Sequence, residues 1–257
     1  MSNLSRAVSE GHYARKQILS RDRLIAWSHR SRFEVGLRLA RRLRARRVLD
    51  YGCGDGSFLA MLMSGENAPR EAVGAELSDG LVDDCRRRHG SREGLRFVRV
   101  EEVGAREHEG VYDLVVCMEV LEHVVETEPL LDLLARLVAP GGRLVVSVPV
   151  ETGLPLLVKQ FVRRVAGWRG IGDYPGTSPY TVRELFAALV ARSRQHIERP
   201  VHANADGSTF HDHKGFNWMR LRETLARRFT VEATHASPLM WLPPHLASQA
   251  WFVLRKD

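Results

Sequence analysis

Apolar residues in this chain fall into short runs separated by longer amphipathic stretches. The first five runs cover residues 48–50, 72–76, 95–100, 112–117 and 143–149. Runs of this length predict buried strands, and the stretches between them have the spacing of helices. Because strands and helices alternate, the pattern predicts a parallel sheet with helices on both faces.

Two further β-rich runs lie near the C-terminus, at residues 229–233 and 249–255. The segment between them leaves no room for a crossover helix, so we expect these two runs to pair antiparallel. The pattern therefore predicts an α/β fold: a doubly wound, Rossmann-like sheet of seven strands whose last strand is antiparallel.

The loop after the first run carries the most specific signal. Asp50 is followed by alternating glycines at Gly52, Gly54 and Gly56. Such glycines let the backbone approach a nucleotide at the end of a parallel strand. The spacing differs from the G-x-G-x-x-G of dinucleotide sites, and no P-loop lysine follows. Asp50 would repel a pyrophosphate and favours a cationic ligand. The alternative is a tight turn that binds nothing.

Residues 45–150 resemble the class I S-adenosylmethionine-dependent methyltransferases, whose first motif reads D-x-G-x-G-x-G. The resemblance implies that S-adenosylmethionine (SAM) is the cofactor. It also implies that the cofactor contacts a glycine loop, made here by Asp50, Gly52, Cys53, Gly54 and Gly56.

Four later positions complete the site that the resemblance implies. Glu76 ends the second run and would bind the ribose hydroxyls, while Glu101 stands where the family usually has Asp contacting the adenine amino group. The backbone at Cys117 and Met118 and the side chain of Glu119 would line the methionine part of the cofactor.

The sequence Glu-Val-Leu-Glu-His follows the fourth run, at residues 119–123. Apart from the family, Glu119 and Glu122 have the spacing of one helix face, and as a first helical turn they would be solvated. We expect this for Glu122 more than for Glu119, and we expect His123 to form structural hydrogen bonds.

Composition limits the class of protein. The chain of 257 residues, 44% of them apolar, is long enough for one catalytic domain with appendages. A secretory leader and a long apolar span are not evident, which predicts a cytoplasmic protein that is peripheral at the membrane if it meets one. Its three cysteines are isolated, which argues against disulfides and zinc.

The net charge of +7 comes mainly from arginine. It indicates either a solvated cationic surface or one that faces anionic lipid or a phosphorylated substrate. Nucleic acid is a less favoured partner, because no RNA-binding module or stacking motif accompanies the charge.

The chain divides into four parts on these patterns. We expect an N-terminal helical cap at 1–44, the SAM-binding core at 45–150, a substrate-recognition cap at 151–215, and a C-terminal helix with two strands at 216–257. In similar enzymes the N-terminal segment folds over the cofactor, so Tyr13 or Arg32 is a candidate for binding its carboxylate.

The cap region begins with an amphipathic basic helix at 154–168. It is interpreted either as a helix whose apolar side packs on the core or as one that contacts a membrane or a lipid-linked acceptor. The turn-rich residues 170–176 that follow are expected to act as a lid.

Two histidines near the end of the cap are candidate general bases. His211 and His213 flank Asp212, and a neutral imidazole can accept the proton of an alcohol acceptor. The His-x-His spacing is weak evidence for a metal, so no metal is expected.

The predicted function is methyl transfer from SAM to an oxygen or nitrogen of a small or lipid-linked acceptor, such as a sugar or natural product. An RNA methyltransferase and a non-catalytic SAM-binding or regulatory subunit are the alternatives.

Overall fold

The computed structural model describes residues 6–15, 19, 23–168, 178–204 and 207–257. The strands within these ranges are β1 Arg47–Tyr51, β2 Glu71–Glu76, β3 Leu95–Arg99, β4 Tyr112–Met118, β5 Val138–Pro149, β6 Val201–Ala203, β7 Thr209–His211, β8 Thr230–Ser237 and β9 Gln249–Arg255. The helices are α1 Arg6–Ser9, α2 Arg23–Leu43, α3 Ser57–Met63, α4 Asp79–His89, α5 Thr127–Leu137, α6 Gly153–Trp168, α7 Val182–Leu189 and α8 Trp218–Leu225. The predicted lid, at 170–176, lies outside the described residues.

The main sheet has the strand order β3-β2-β1-β4-β5-β9-β8. Strands β1 to β5 are paired in parallel, and β9 is inserted antiparallel between β5 and β8. The predicted fold class is therefore confirmed: a seven-stranded Rossmann-like sheet whose last strand is antiparallel.

Successive residues of the central strands enter opposite cores because side chains alternate across a sheet. Val48 belongs to the core under α2, α3 and α4, and Leu49 belongs to the core under α5 and α8. Both faces of the sheet are thus covered, and its strand ends remain available for a site.

Strand β5 begins earlier than the sequence predicted. The run that predicted this strand begins at Arg143, directly after the Pro-Gly-Gly segment at 140–142, but β5 already pairs with β4 at Val138, and the register then shifts before Arg143. Gly141 adopts φ 71, so the turn is accommodated as an irregularity inside the strand.

After β5, helices α6 and α7 pack around a small cluster made by Leu156, Ala188 and Ile197. Strands β6 and β7 then form a separate antiparallel pair. None of the helices described here is both long and apolar enough to cross a membrane.

Candidate active site

The glycine loop lies where β1 ends, beside the ends of β2 and β4. Glu76, at the end of β2, turns its carboxylate toward this loop: Gly54 N donates a hydrogen bond to Glu76 Oε2 at 2.8 Å. Its other oxygen accepts one from Leu77 N at 2.8 Å. The sheet therefore brings together the loop and the predicted ribose ligand.

Two glycines of the loop are required by its geometry. Gly52 and Gly54 adopt φ 76 and φ 57, in the left-handed region that favours glycine. A Cβ at Gly52 would overlap Val120, and one at Gly54 would lie 3.0 Å from the ring of Tyr13. The loop backbone therefore passes close to Val120 and Tyr13, with no space for side chains at these two positions.

Asp50 lies under the loop and is buried, and neither of its carboxylate oxygens has a hydrogen-bond partner within the described residues. Burial, with a smaller effect of Glu76, raises its pKa to about 8. A buried carboxyl group without partners costs free energy, and a nearby cationic ligand would offset that cost. The residues here therefore fit a ligand with positive charge, as SAM has.

Glu101 lies at the same edge of the sheet, one strand farther out. Its carboxylate is largely exposed and binds Arg99, with Arg99 Nε donating to Glu101 Oε2 at 3.0 Å. The assignment of Glu101 to adenine stays a prediction, and that role would require its carboxylate to exchange partners.

Cys117 and Met118 end β4 on opposite faces of the sheet. The thiol of Cys117 is buried in the core under α5, and Met118 packs against the core under α2. Their side chains thus pack in the two cores, and the contact of their backbone with the cofactor stays a prediction.

Glu119 follows directly and has φ 57, which is uncommon for a residue with a side chain. Its Oε1 accepts a hydrogen bond from Ser147 Oγ at 3.0 Å, and its Oε2 lies 3.6 Å from Arg32 Nη1. The carboxylate is therefore held between β5 and α2. Strained residues of this kind concentrate at functional sites.

The interpretation of Glu122 as part of a solvated helical turn is wrong. Residues 119–126 form turns, and α5 begins only at Thr127. Glu122 is completely buried, and neither of its carboxylate oxygens has a hydrogen-bond partner among the described residues, although His123 Nε2 lies 3.9 Å from Oε1. Burial, followed by the nearby Glu119, raises its pKa well above the usual value.

The N-terminal segment packs onto the glycine loop. Ala14 N donates to Asp55 Oδ2 at 2.9 Å, while Ser57 N donates to Asp55 Oδ1 at 3.1 Å. Asp55 thus joins this segment to the start of α3. Sequence reasoning missed this role, although Asp55 lies inside the recognised motif.

Of the two candidate bases, His213 is the one on which the charges of Glu119 and Glu151, near the ends of β4 and β5, act. Its ring packs edge-on against His123, with 4.9 Å between the ring centroids, and its Nδ1 is buried without a partner in the described structure. Burial lowers its pKa to about 4, while Glu151 and Glu119 act in the opposite direction. His213 is therefore neutral at pH 7.

His211 is held by the small hairpin. Its Nδ1 lies 2.8 Å from the carbonyl oxygen of Pro200, and its own carbonyl oxygen lies 2.9 Å from His123 Nδ1. The expected structural role of His123 agrees with this contact. Arg199 braces the same region by donating to the carbonyl oxygens of Glu122 and Asp212.

Helix α6 packs against the rest of the protein with its basic side. Lys159 and Arg163 face inward, where Lys159 Nζ lies 2.9 Å and Arg163 Nη2 3.2 Å from Oε1 of the buried Glu151. Burial alone would raise the pKa of Glu151, but these two cations outweigh it and lower the pKa. Five apolar side chains of α6 are instead exposed: Leu154, Leu157, Val158, Phe161 and Val162.

Within the part of the chain that the structure describes, no group of three or more His, Cys, Asp and Glu side chains is arranged to hold a metal ion.

Comparison with known proteins agrees with the fold and the loop. A family model described as a methyltransferase domain matches residues 23–219. The S-adenosylmethionine-dependent methyltransferase from Mesorhizobium loti is 14% identical with a TM-score of 0.52, over 86% of this chain and 96% of that one. The N-methyltransferase NodS from Bradyrhizobium japonicum WM9, solved with S-adenosyl-L-homocysteine, is 14% identical with a TM-score of 0.53, over 89% and 87%. These two likenesses concern the fold.

Two curated relatives are ubiquinone biosynthesis O-methyltransferases. The protein from Bordetella avium is 42% identical over 108 residues, which is 40% of this chain and 43% of the relative. The one from Acinetobacter baylyi is 30% identical over 156 residues, or 55% and 63%. The chain thus spans about half the length of these relatives.

The family model covers most of the chain and includes every strand of the predicted cofactor site. The chain therefore belongs to the methyltransferase-domain family, which confirms the resemblance of its motifs to the class I S-adenosylmethionine-dependent methyltransferases.

Proposed function

We propose that this protein transfers a methyl group from SAM to an oxygen of a small or lipid-linked acceptor. The observation that carries the proposal is the pair of carboxyl groups beside the glycine loop. Glu76 accepts a hydrogen bond from Gly54, and Asp50 is buried with no hydrogen-bond partner among the residues that the structure describes. Bound SAM supplies a methyl group on positively charged sulfur, and this pair suits such a cation.

In this proposal the loop from Gly52 to Gly56 and the backbone at Cys117 and Met118 hold the cofactor. Glu76 binds the ribose, and Glu101 releases Arg99 to reach the adenine. Arg32 and Glu119 already form an ion pair at the methionine end, so they can exchange partners with the cofactor's carboxylate and ammonium groups.

The acceptor hydroxyl must lose its proton as its oxygen binds the methyl carbon. We assign this proton to the imidazole of His213, which is neutral above about pH 4. Glu151 and Glu119 favour the resulting imidazolium, since their charges act to raise the pKa of His213. His211 is the second candidate, and its bond to Pro200 supports an orienting role.

Residues 151–215 are the proposed acceptor cap. The names of the curated relatives point to ubiquinone biosynthesis, and this supports a lipid-linked acceptor over the sugar that the sequence suggested. The exposed apolar side of α6 supports the same choice, as does the neighbouring α7, where Val182 and Phe186 are also exposed. We propose that this surface contacts a membrane that holds the acceptor.

The acceptor class is tested by incubating the protein with isotope-labelled SAM and extracts of lipids, polar small molecules and RNA. We expect the labelled methyl group in the lipid fraction, on an oxygen, as shown by mass spectrometry. Label in RNA would favour the RNA alternative. Label in no fraction, from protein that binds SAM, would favour the non-catalytic alternative.

A further inference from the structure

A cavity of about 640 Å³ opens at the end of α2, away from the site described above. Four arginines line it together with Glu34, Leu37 and Asn67: Arg38, Arg41, Arg42 and Arg44. Within the described residues, none of the four lies within 4.0 Å of a carboxylate oxygen, and Arg38 Nη1 instead donates to Met240 Sδ at 3.2 Å. Four guanidinium groups sharing one concave surface repel each other, so a multiply charged anion would stabilise them.

Arg41 is seated in this cavity by specific contacts. Its Nη2 donates to the carbonyl oxygen of Met61 at 3.2 Å, while its buried Nε has no partner among the described residues. Gly65 lies directly beneath, and a Cβ there would overlap the guanidinium of Arg41. The guanidinium group of Arg41 therefore occupies space that a side chain at position 65 would take.

The backbone around the cavity is also unusual. Arg44 and Asn67 have φ 49 and φ 56, and Glu119 of the proposed active site is the remaining non-glycine residue with positive φ in the described ranges. Two of these three therefore line the arginine cavity. Arg44 directly follows α2, so its left-handed conformation ends the helix at the rim of the cavity.

We propose that this cavity binds an anion carrying two or more phosphate groups. Guanidinium groups bind phosphate oxygens through paired hydrogen bonds, and the cavity is within the size range of small-molecule sites. It lies before β1, whereas the glycine loop follows β1, so about 16 Å of strand separates it from the cofactor loop. The site is therefore distinct from the one for methyl transfer.

Inorganic pyrophosphate titrated into the whole protein at physiological salt tests the proposal by calorimetry. We expect saturable binding that weakens at least tenfold in the variant Arg38→Ala/Arg42→Ala. Gly65→Ala should also weaken binding several-fold without changing the charge, because it displaces Arg41. Two controls should bind like the parent: Gly104→Ala, at an open position, and Arg227→Ala, next to α8 on the opposite face of the sheet. Circular dichroism and thermal melting establish that each variant is folded.

A second arm separates the sources of phosphate. Cardiolipin, whose headgroup carries two phosphate groups, is the lipid probe. Cardiolipin vesicles that bind the parent but not Arg38→Ala/Arg42→Ala, and that pyrophosphate displaces, would identify a lipid headgroup as the ligand. Pyrophosphate binding without vesicle binding would identify a free phosphate compound. Three results would overturn the proposal: no saturable binding by the parent, equal weakening in Arg227→Ala, or a folded Gly65→Ala that binds like the parent.

Discussion

At the scale of single residues, Asp50 combines burial under the glycine loop with a carboxyl group that has no hydrogen-bond partner among the described residues. Burial raises the pKa of this carboxyl group. A group whose pKa differs between the folded and the unfolded chain makes the free energy of unfolding depend on pH.

The buried Asp50 leads to a prediction about stability. Its pKa is raised to about 8 in the folded chain, against 3.8 as the ordinary value. Between these two pH values the unfolded chain releases the proton and the folded chain keeps it, so stability falls as pH rises. This decrease in the free energy of unfolding amounts to as much as about 1.4 kcal/mol per pH unit, and Asp50→Asn should remove it.

Urea unfolding between pH 5 and pH 8 measures this effect in protein without cofactor. The advantage of Asp50→Asn over the parent should grow with pH. Asp83→Asn, at an exposed carboxylate, is the control and should follow the parent at each pH. A constant difference between Asp50→Asn and the parent would contradict the assignment.

His213 and His211 are expected to differ in catalysis. With the acceptor identified, His213→Ala should lower kcat by about 10²–10⁴-fold, the range usual for loss of a general base. His211→Ala should keep most of its turnover. In the parent, the pKa of about 4 at His213 predicts that kcat/KM stays level down to about pH 5. Steady-state kinetics from pH 5 to pH 8 provide the measurement, and a parental kcat in His213→Ala would contradict this account.

Neighbouring residues of the site could be predicted from the sequence, and distant contacts could not. The alternating glycines and Glu76 are recognisable by spacing, and the structure brings Glu76 onto the loop through Gly54. The burial of Glu122 and the pairing of Arg32 with Glu119 depend on segments far apart in the chain. No local pattern contains that information.

At the scale of elements, strands were predicted well because a buried parallel strand is a short apolar run wherever it lies. Helix α6 shows the limit of that reasoning. Periodicity groups Leu157 and Phe161 on one side and Lys159 and Arg163 on another, but it does not say which side faces inward. Glu151, at the end of β5, decides this by drawing both cations toward the core.

This orientation predicts how the surface of α6 meets a membrane. Because Lys159 and Arg163 are already paired, binding should rest on the apolar side chains and persist on zwitterionic vesicles. Phe161→Asp should reduce the bound fraction in a flotation assay. Val201→Asp, an equally drastic change at an exposed apolar residue of β6, should float like the parent. Equal flotation of Phe161→Asp and the parent would show that this surface of α6 does not contact the membrane.

At the scale of the whole molecule, the sheet separates two kinds of electrostatic surface. Carboxyl groups gather where the parallel strands end and suit a cationic cofactor, whereas arginines gather before β1 and suit an anion. The net charge of +7 alone does not reveal this division, since it depends on which end of the sheet each loop occupies.

The central claim, that the glycine loop binds SAM, is tested most directly by calorimetry with S-adenosyl-L-homocysteine. We predict saturable binding by the parent and none by Gly54→Arg, because an arginine side chain at φ 57 would fill the space between the loop and Tyr13. Gly104→Arg adds the same charge at an open position and should bind like the parent. No binding by the parent, or undiminished binding by a folded Gly54→Arg, would contradict the account.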